Sequence, residues 1–285
     1  MPSLIDIRRR IRSVKNTQQI TKAMKMVSTA KLRRAQERVV ASRPYAAMLQ
    51  QILANVSAAA MDDEEIAASP LLNARPENRI QLVLMTSDRG LAGAFNSNLI
   101  KATQRFIEEH PGAQIEIEAM GRKGRDFFKR RTWPVTGEHI GVFNQPKYAE
   151  AHEIAQKIGR RIIDGEIDAV YLIYNEFKSI LSQKLTINKI LPIVPARGEV
   201  VDYLFDQSPK EILKALLPRY VDVQIYQGMV ETAASEHAAR MTAMDAASSN
   251  AADVIDKLTL NMNRVRQASI TREIIEVVSG AAALD

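Results

Sequence analysis

Two short glycine turns are the places where this chain of 285 residues has the residue types for chemistry. The first, SDRGLAG at residues 87–93, follows an apolar run and precedes a helix-like one. That is where nucleotides sit in doubly wound sheets. Its spacing does not suit a phosphate. Gly90 and Gly93 give only G-x-x-G where a dinucleotide loop needs G-x-G-x-x-G, and Ala94 and Phe95 follow where a phosphate loop needs Lys and Ser or Thr. The turn reads as a tight strand-to-helix connection. The second, Gly121-Arg122-Lys123-Gly124, has the pattern of basic loops that clamp nucleic-acid backbones, and it reads equally as a solvated helix start. His110, His139, His152 and His237 show no metal-ligand spacing. The absence of cysteine excludes disulfides, thiolate metal sites and nucleophilic thiols. No Ser/His/Asp set or paired carboxylates stand out in a marked loop. The expectation is therefore no catalytic, cofactor-binding or metal site.

The elements that must position these turns alternate. Residues 79–86 (RIQLVLMT), 114–120 and 168–174 (DAVYLIY) read as buried strands, and residues 94–109, 121–131 and 149–164 as helices. Strand and helix in alternation predict a largely parallel sheet with helices on its faces. A further strand-like run covers residues 183–194. The predicted organisation is a first helix over 1–60, a linker over 61–76, a central α/β domain over 77–199, a return segment over 200–220 and a last helix over 221–285.

Both ends predict helices far longer than a globular core uses. No Pro or Gly falls in residues 3–43 or 229–279, runs of 41 and 51 residues. At about 1.5 Å per residue these make rods of about 60 and about 75 Å. Steps of four and three along the last run visit Val230, Ala234, His237, Met241, Met244, Ser248, Ala251, Ile255, Leu258, Met262 and Val265, a coiled-coil seam. The first run offers Ile7, Ile11, Val14, Leu32, Ala35 and Val39. Between them the same phase reads Gln18, Thr21, Lys25 and Ser28, and Ile20, Ala23, Val27 and Ala30 carry the apolar stripe instead, with Met24 and Met26 beside it. A rod apolar on more than one side is enclosed by something more than a single partner helix, which points to another protein around it.

Residues 1–43 carry net charge +10 and residues 221–285 carry −4, within a chain of +6. Opposite signs favour an antiparallel pairing of first and last helices, although each exposed ion pair contributes only about 0.2–1 kcal/mol. Apolar runs such as residues 82–85 are strand-sized, short of the roughly 20 residues that cross a bilayer. Residues 1–12 lack the apolar core of a signal peptide, as would a chain whose leader had been removed. Two readings stay open: a mechanical or scaffolding protein, or a nucleic-acid-associated protein or α/β enzyme with an unrecognised site. Residues 3–43 contain no aromatic residue to stack on bases, which favours an acidic protein surface as their partner.

Residues 11–35 (IRSVKNTQQITKAMKMVSTAKLRRA) and 266–283 (RQASITREIIEVVSGAAA) resemble the two signature ends of the gamma subunit of F-type ATP synthase. Residues 86–93 (TSDRGLAG), 200–205 (VVDYLF) and 219–244 are similar to that family too. The resemblance implies an α/β protein: a long antiparallel coiled coil of the N- and C-terminal helices plus a central Rossmann-like α/β domain without a phosphate loop. It implies a central rotor shaft that couples proton-driven c-ring rotation to ATP synthesis or hydrolysis at the beta subunits, with no active site of its own. The implied partners are the alpha and beta subunits of the F1 hexamer, the epsilon subunit and the c-ring, with no nucleic acid. The implied location is peripheral, at the cytoplasmic face of a bacterial cell membrane through the complex.

Family roles fall on matching positions. Met24 and Lys25 lie where substitution affects coupling, and Arg240, Gln267, Thr271, Glu273 and Glu276 lie in segments that interact functionally with them. Arg266 and Gln267 match polar residues that contact a loop of beta. Tyr203 and Asp206 fall in the foot that meets the c-ring and epsilon. The plant-type insertion with its cysteine pair is absent, so thiol control is not expected.

Overall fold

The computed structural model describes residues 3–59, 63, 66, 68–131, 133–194 and 206–282. Its first element, α1 (Leu4–Ala59), is a helix of 56 residues. Ser3 and Asp6 start it reciprocally: the Asp6 amide donates to Ser3 Oγ at 3.2 Å and the Ser3 amide donates to the Asp6 carboxylate at 3.4 Å. Then follow β1 (Arg79–Met85), α2 (Phe95–Glu109), β2 (Gln114–Met120), α3 (Arg122–Lys129), β3 (Val135–His139), α4 (Tyr148–Ile163), β4 (Ala169–Phe177), β5 (Gln183–Leu191) and α5 (Pro209–Ala282). The last helix has 74 residues.

The strands form one sheet in the order β3-β2-β1-β4-β5, parallel except for β5, which runs antiparallel to β4. Period-two alternation divides its side chains. Ile80, Leu82, Leu84, Ile117 and Ile173 face α2 and α3, where Leu99, Phe106 and Phe128 complete a core. Val83, Met85, Met120, Val170 and Leu172 face the other way, onto Ile154, Ile158 and Ile162 of α4. That second core also takes Leu53 and Val56 from α1 and Leu213, Leu217, Val221, Ile225 and Met229 from α5.

Three features differ from the sequence reading. Strand β3 was not expected: it is a short edge strand with two of its five residues exposed and the others half-buried, so it carries no apolar signature. The last helix begins at Pro209 instead of 221 and passes through Pro218 and Gly228. Pro218 lacks the amide that would close a helical turn, but Leu213, Leu217 and Val221 are buried around it and hold the segment helical. At Gly228 a Cβ would sit 2.9 Å from the sulfur of Met85, so this glycine brings the helix close to the sheet and does not end it.

The chain divides into two compact units. One comprises residues 29–240, so the α/β body includes residues 29–59 of α1 and 209–240 of α5 along with the sheet. The other comprises residues 1–28 and 241–285.

Within the second of these units the partners fall along α5 as they rise along α1. Gln18 Nε2 donates to the Ser248 carbonyl at 3.3 Å, the Thr21 and Ser248 hydroxyls meet at 2.7 Å, and Lys25 pairs with Asp245 at 2.7 Å. The side facing α5 keeps the seam phase through this stretch, so the apolar residues that rotate off it point outward. Thr21 and Ser28 are buried, whereas Ile20, Met26 and Val27 are 57–68% exposed. The four-three spacing keeps one face inward whatever its polarity, and the Thr21 and Ser248 hydroxyls placed inside satisfy each other.

Candidate partner-contact surfaces

The first glycine turn is filled by the protein itself. Asn96, in the first turn of α2, accepts the Ser87 amide at 2.9 Å and donates to Ser87 Oγ at 2.8 Å. The Asp88 carboxylate accepts the Arg122 amide at 3.0 Å and the Gly141 amide at 2.9 Å. It therefore occupies the anion position at the start of α3, where a helix N-terminus favours negative charge. Thr86 Oγ1 accepts the Gly124 amide at 2.8 Å, which ties the second glycine turn to the end of β1. Gly121 there has φ +96°, and a Cβ would lie 2.0 Å from the Thr86 carbonyl oxygen. The turns are thus stitched to each other. Next to them, the Phe127 ring is covered by the guanidinium of Arg131 at 3.8 Å.

Arg240 belongs to the same fabric. Its Nη2 reaches the carbonyls of Arg89 at 3.3 Å and Gly90 at 3.2 Å, and its Nη1 pairs with Glu236 at 2.7 Å. Burial pushes the Glu236 carboxyl above its ordinary value, against the opposing charge of Arg240. Arg240 is itself buried and clamps the first glycine turn onto α5.

The other residues singled out by the sequence are distributed as follows. Met24 is half-buried, and Lys25 lies beside it in its ion pair with Asp245. Arg266, Gln267, Thr271, Glu273 and Glu276 are all exposed on α5. Two bonds run along the helix there: Thr271 donates to the Gln267 carbonyl at 3.0 Å and Ser269 to Glu273 at 3.2 Å. Asp206 is exposed ahead of α5, and Tyr203 lies outside the described residues. His237, read as a polar seam position, is 9% exposed with its Nδ1 buried and unbonded.

Sequence reasoning missed the outward apolar surface at the helix end. Ile270, Ile274, Ile275, Val277 and Val278 are 49–72% exposed, and every residue from 270 to 279 faces solvent. The signal was present as adjacent apolar pairs, which no single helix face can hide. It also missed Glu231, a carboxylate 2% exposed that joins α1, α5 and β4. Among the described residues no helix is long and apolar enough to cross a membrane, and no His, Cys, Asp and Glu group could hold a metal ion.

A mixed sheet whose anion position is taken by its own carboxylate, joined to terminal helices with apolar side chains turned outward, defines a class of α/β protein built on contact surfaces. Residues 3–284 match the family described as ATP synthase. An ATP synthase gamma chain from Solibacter usitatus is 62% identical over 286 residues, covering 100% of both chains. One from Pelotomaculum thermopropionicum is 48% identical over 290 residues, again covering 100% of both. A chain of the Euglena gracilis mitochondrial ATP synthase, solved as OSCP/F1/c-ring, shares the fold at TM-score 0.70 and 19% identity, over 99% of this chain and 94% of that one. A chain of the Tetrahymena thermophila mitochondrial ATP synthase central stalk and c-ring gives TM-score 0.64 and 24% identity, over 80% of this chain and 99% of that one. The chain belongs to the gamma chain family of F-type ATP synthase, and its function is that of the rotor shaft.

Proposed function

We propose that this chain carries torque between a proton-driven c-ring and the catalytic beta subunits, and has no active site of its own. In this reading α1 and α5 form an antiparallel coiled coil that turns inside a hexamer of alpha and beta subunits, while the Rossmann-like α/β domain works outside it. The observation that carries this reading is the outward apolar surface. Ile20, Met26 and Val27 on α1, with Leu260, Ile270, Ile274 and Val278 on α5, are largely exposed in the unit formed by residues 1–28 and 241–285. Exposed apolar patches of this kind mark interaction surfaces. A sleeve around the helices would cover them on all sides, and aliphatic contacts without directional bonds let one surface slide past another.

Met24, Lys25, Arg266, Gln267, Thr271, Glu273 and Glu276 would meet that sleeve, with Arg240 holding the glycine turn to the shaft. Asp206 and Tyr203 belong to the foot, where epsilon and the c-ring would bind. The chain is then peripheral, held at the cytoplasmic face of a bacterial membrane by the complex.

The test is recovery from membranes through an affinity tag placed at Gly112, where nothing lies within 4 Å of an added Cβ. Alpha and beta subunits should be recovered with ATPase activity that the isolated chain lacks. Recovery of the chain alone, or with nucleic acid, would reject the reading.

A further inference from the structure

In the unit of residues 29–240 a cavity of about 230 Å³ opens between α1, α5 and the loop before α4. Lys31, Arg34 and Arg38 line one wall, His237 another, and Asn144 and Gln145 stand at the loop side. The three cations are spaced i, i+3 and i+7, which puts them on one face of α1. Among the described residues none of the three has a carboxylate within ion-pair distance. Glu37, the acid between them, pairs with Arg33 at 3.5 Å instead.

His237 Nδ1 is buried without a hydrogen-bond partner. Buried polar atoms are nearly always bonded, so one that is not asks for a ligand. Burial and the charges of Arg240 and Lys31 push the imidazole down to about 4. At neutral pH the ring is uncharged, and in the tautomer with its proton on Nδ1 that atom is an unused donor beside the cavity.

The donor set defines what fits. Three cations and a histidine line it, and the lining contains no carboxylate. The ligand must be small, rich in acceptors and multiply negative. The volume falls below the roughly 300–1,000 Å³ of pockets that enclose a drug-sized molecule, which favours an inorganic anion over a nucleotide. Arginine forks and lysine are also the usual partners of phosphate oxygens. We propose that this cavity binds a phosphate-class inorganic anion, orthophosphate or diphosphate, held by Lys31, Arg34 and Arg38 with His237 Nδ1 as the inner donor.

The full chain without partner subunits, carrying ¹⁵N-labelled histidine, is titrated with sodium pyrophosphate and with phosphate at constant ionic strength. The His237 resonance is assigned by its loss in His237→Asn. A saturable shift confined to that ring is expected, with affinity at least tenfold weaker in Arg34→Gln/Arg38→Gln. Lys31→Gln serves as an independent variant, and Trp133 fluorescence checks that each variant is folded. Four results overturn the proposal: no saturable shift, an equal shift from chloride, unchanged affinity in folded variants, or succinate or ADP binding as tightly as pyrophosphate.

Discussion

Replacing Glu231 with alanine tests how firmly the two long helices are anchored to the sheet. The Glu231 carboxylate is 3% exposed and accepts bonds from Arg43 Nε at 2.9 Å, Arg43 Nη2 at 3.1 Å, the Phe177 amide at 2.8 Å and Gln227 Nε2 at 2.8 Å. Those donors come from α1, β4 and α5, so one side chain joins three elements. Breaking a buried pair by removing one partner costs about 3–5 kcal/mol. The Arg43 side chain is 42% exposed and is rehydrated, which reduces the expected loss to roughly 2–3 kcal/mol. Glu231→Gln keeps the shape and one acceptor oxygen and should lose roughly half as much.

For a unit of this size the alanine variant should melt about 4–12 °C lower. Guanidinium unfolding followed by Trp133, the chain's single tryptophan, reads the α/β unit in which it lies. With Arg43→Ala and the double variant the cycle should return a coupling of about 1–2 kcal/mol. An alanine variant within about 0.5 kcal/mol of the unmodified chain, or a cycle with no coupling, would refute the assignment of Glu231 as the anchor.

Three further outcomes follow from the geometry. Gly121→Ala should destabilise by about 3 kcal/mol or more, because its backbone is left-handed and the new Cβ meets the Thr86 carbonyl, whereas Gly112→Ala in open space should stay within about 0.5 kcal/mol in the same denaturation assay. Burial raises the Glu118 carboxyl, but the bond from His139 at 2.7 Å and the charge of Lys157 outweigh it and hold the group below its ordinary value. Its stabilisation is therefore complete above about pH 4.3, the unfolded value, and is lost as pH falls through the lower folded value; Glu118→Gln should flatten that acid limb of the melting-temperature profile. Val27→Ser with Ile20→Ser should change the stability of the isolated chain by less than about 0.5 kcal/mol, since both side chains are already exposed. ATP-driven proton pumping by vesicles carrying the assembled complex should fall, and unchanged pumping would remove these residues from the sleeve contact.

Periodicity made the parallel strands and their helices legible, because an apolar run bounded by glycine turns has few other ways to be buried. The edge strand β3 was hidden for the opposite reason, since Thr136, Gly137 and Glu138 carry no buried stripe. Gly228 and Pro218 misplaced the start of α5. Both residues normally punctuate a helix, and here close packing on Met85 and a buried flank override that tendency. The stripe at Ile20 and Val27 was legible as lying off the seam, and both side chains are exposed in this chain; hydrophobicity marks a surface that will be covered without saying by which chain. Asp88 in the first glycine turn was visible as a residue, yet its role as the occupant of the anion position depends on Arg122 and Gly141, which arrive from 34 and 53 residues away.

The exposed end of α5 also bears on what becomes of this chain before it is assembled. Ile270, Ile274, Ile275, Val277 and Val278 face water on several sides of one helix, the kind of surface that chaperones and proteases recognise in unfinished proteins. A free copy is an orphan, prone to clumping or destruction. On the proposed function, the number of working motors would be limited by how many hexamers are ready to cover that tip, and a surplus of this chain made alone should collect as insoluble material instead of a reserve of spare shafts.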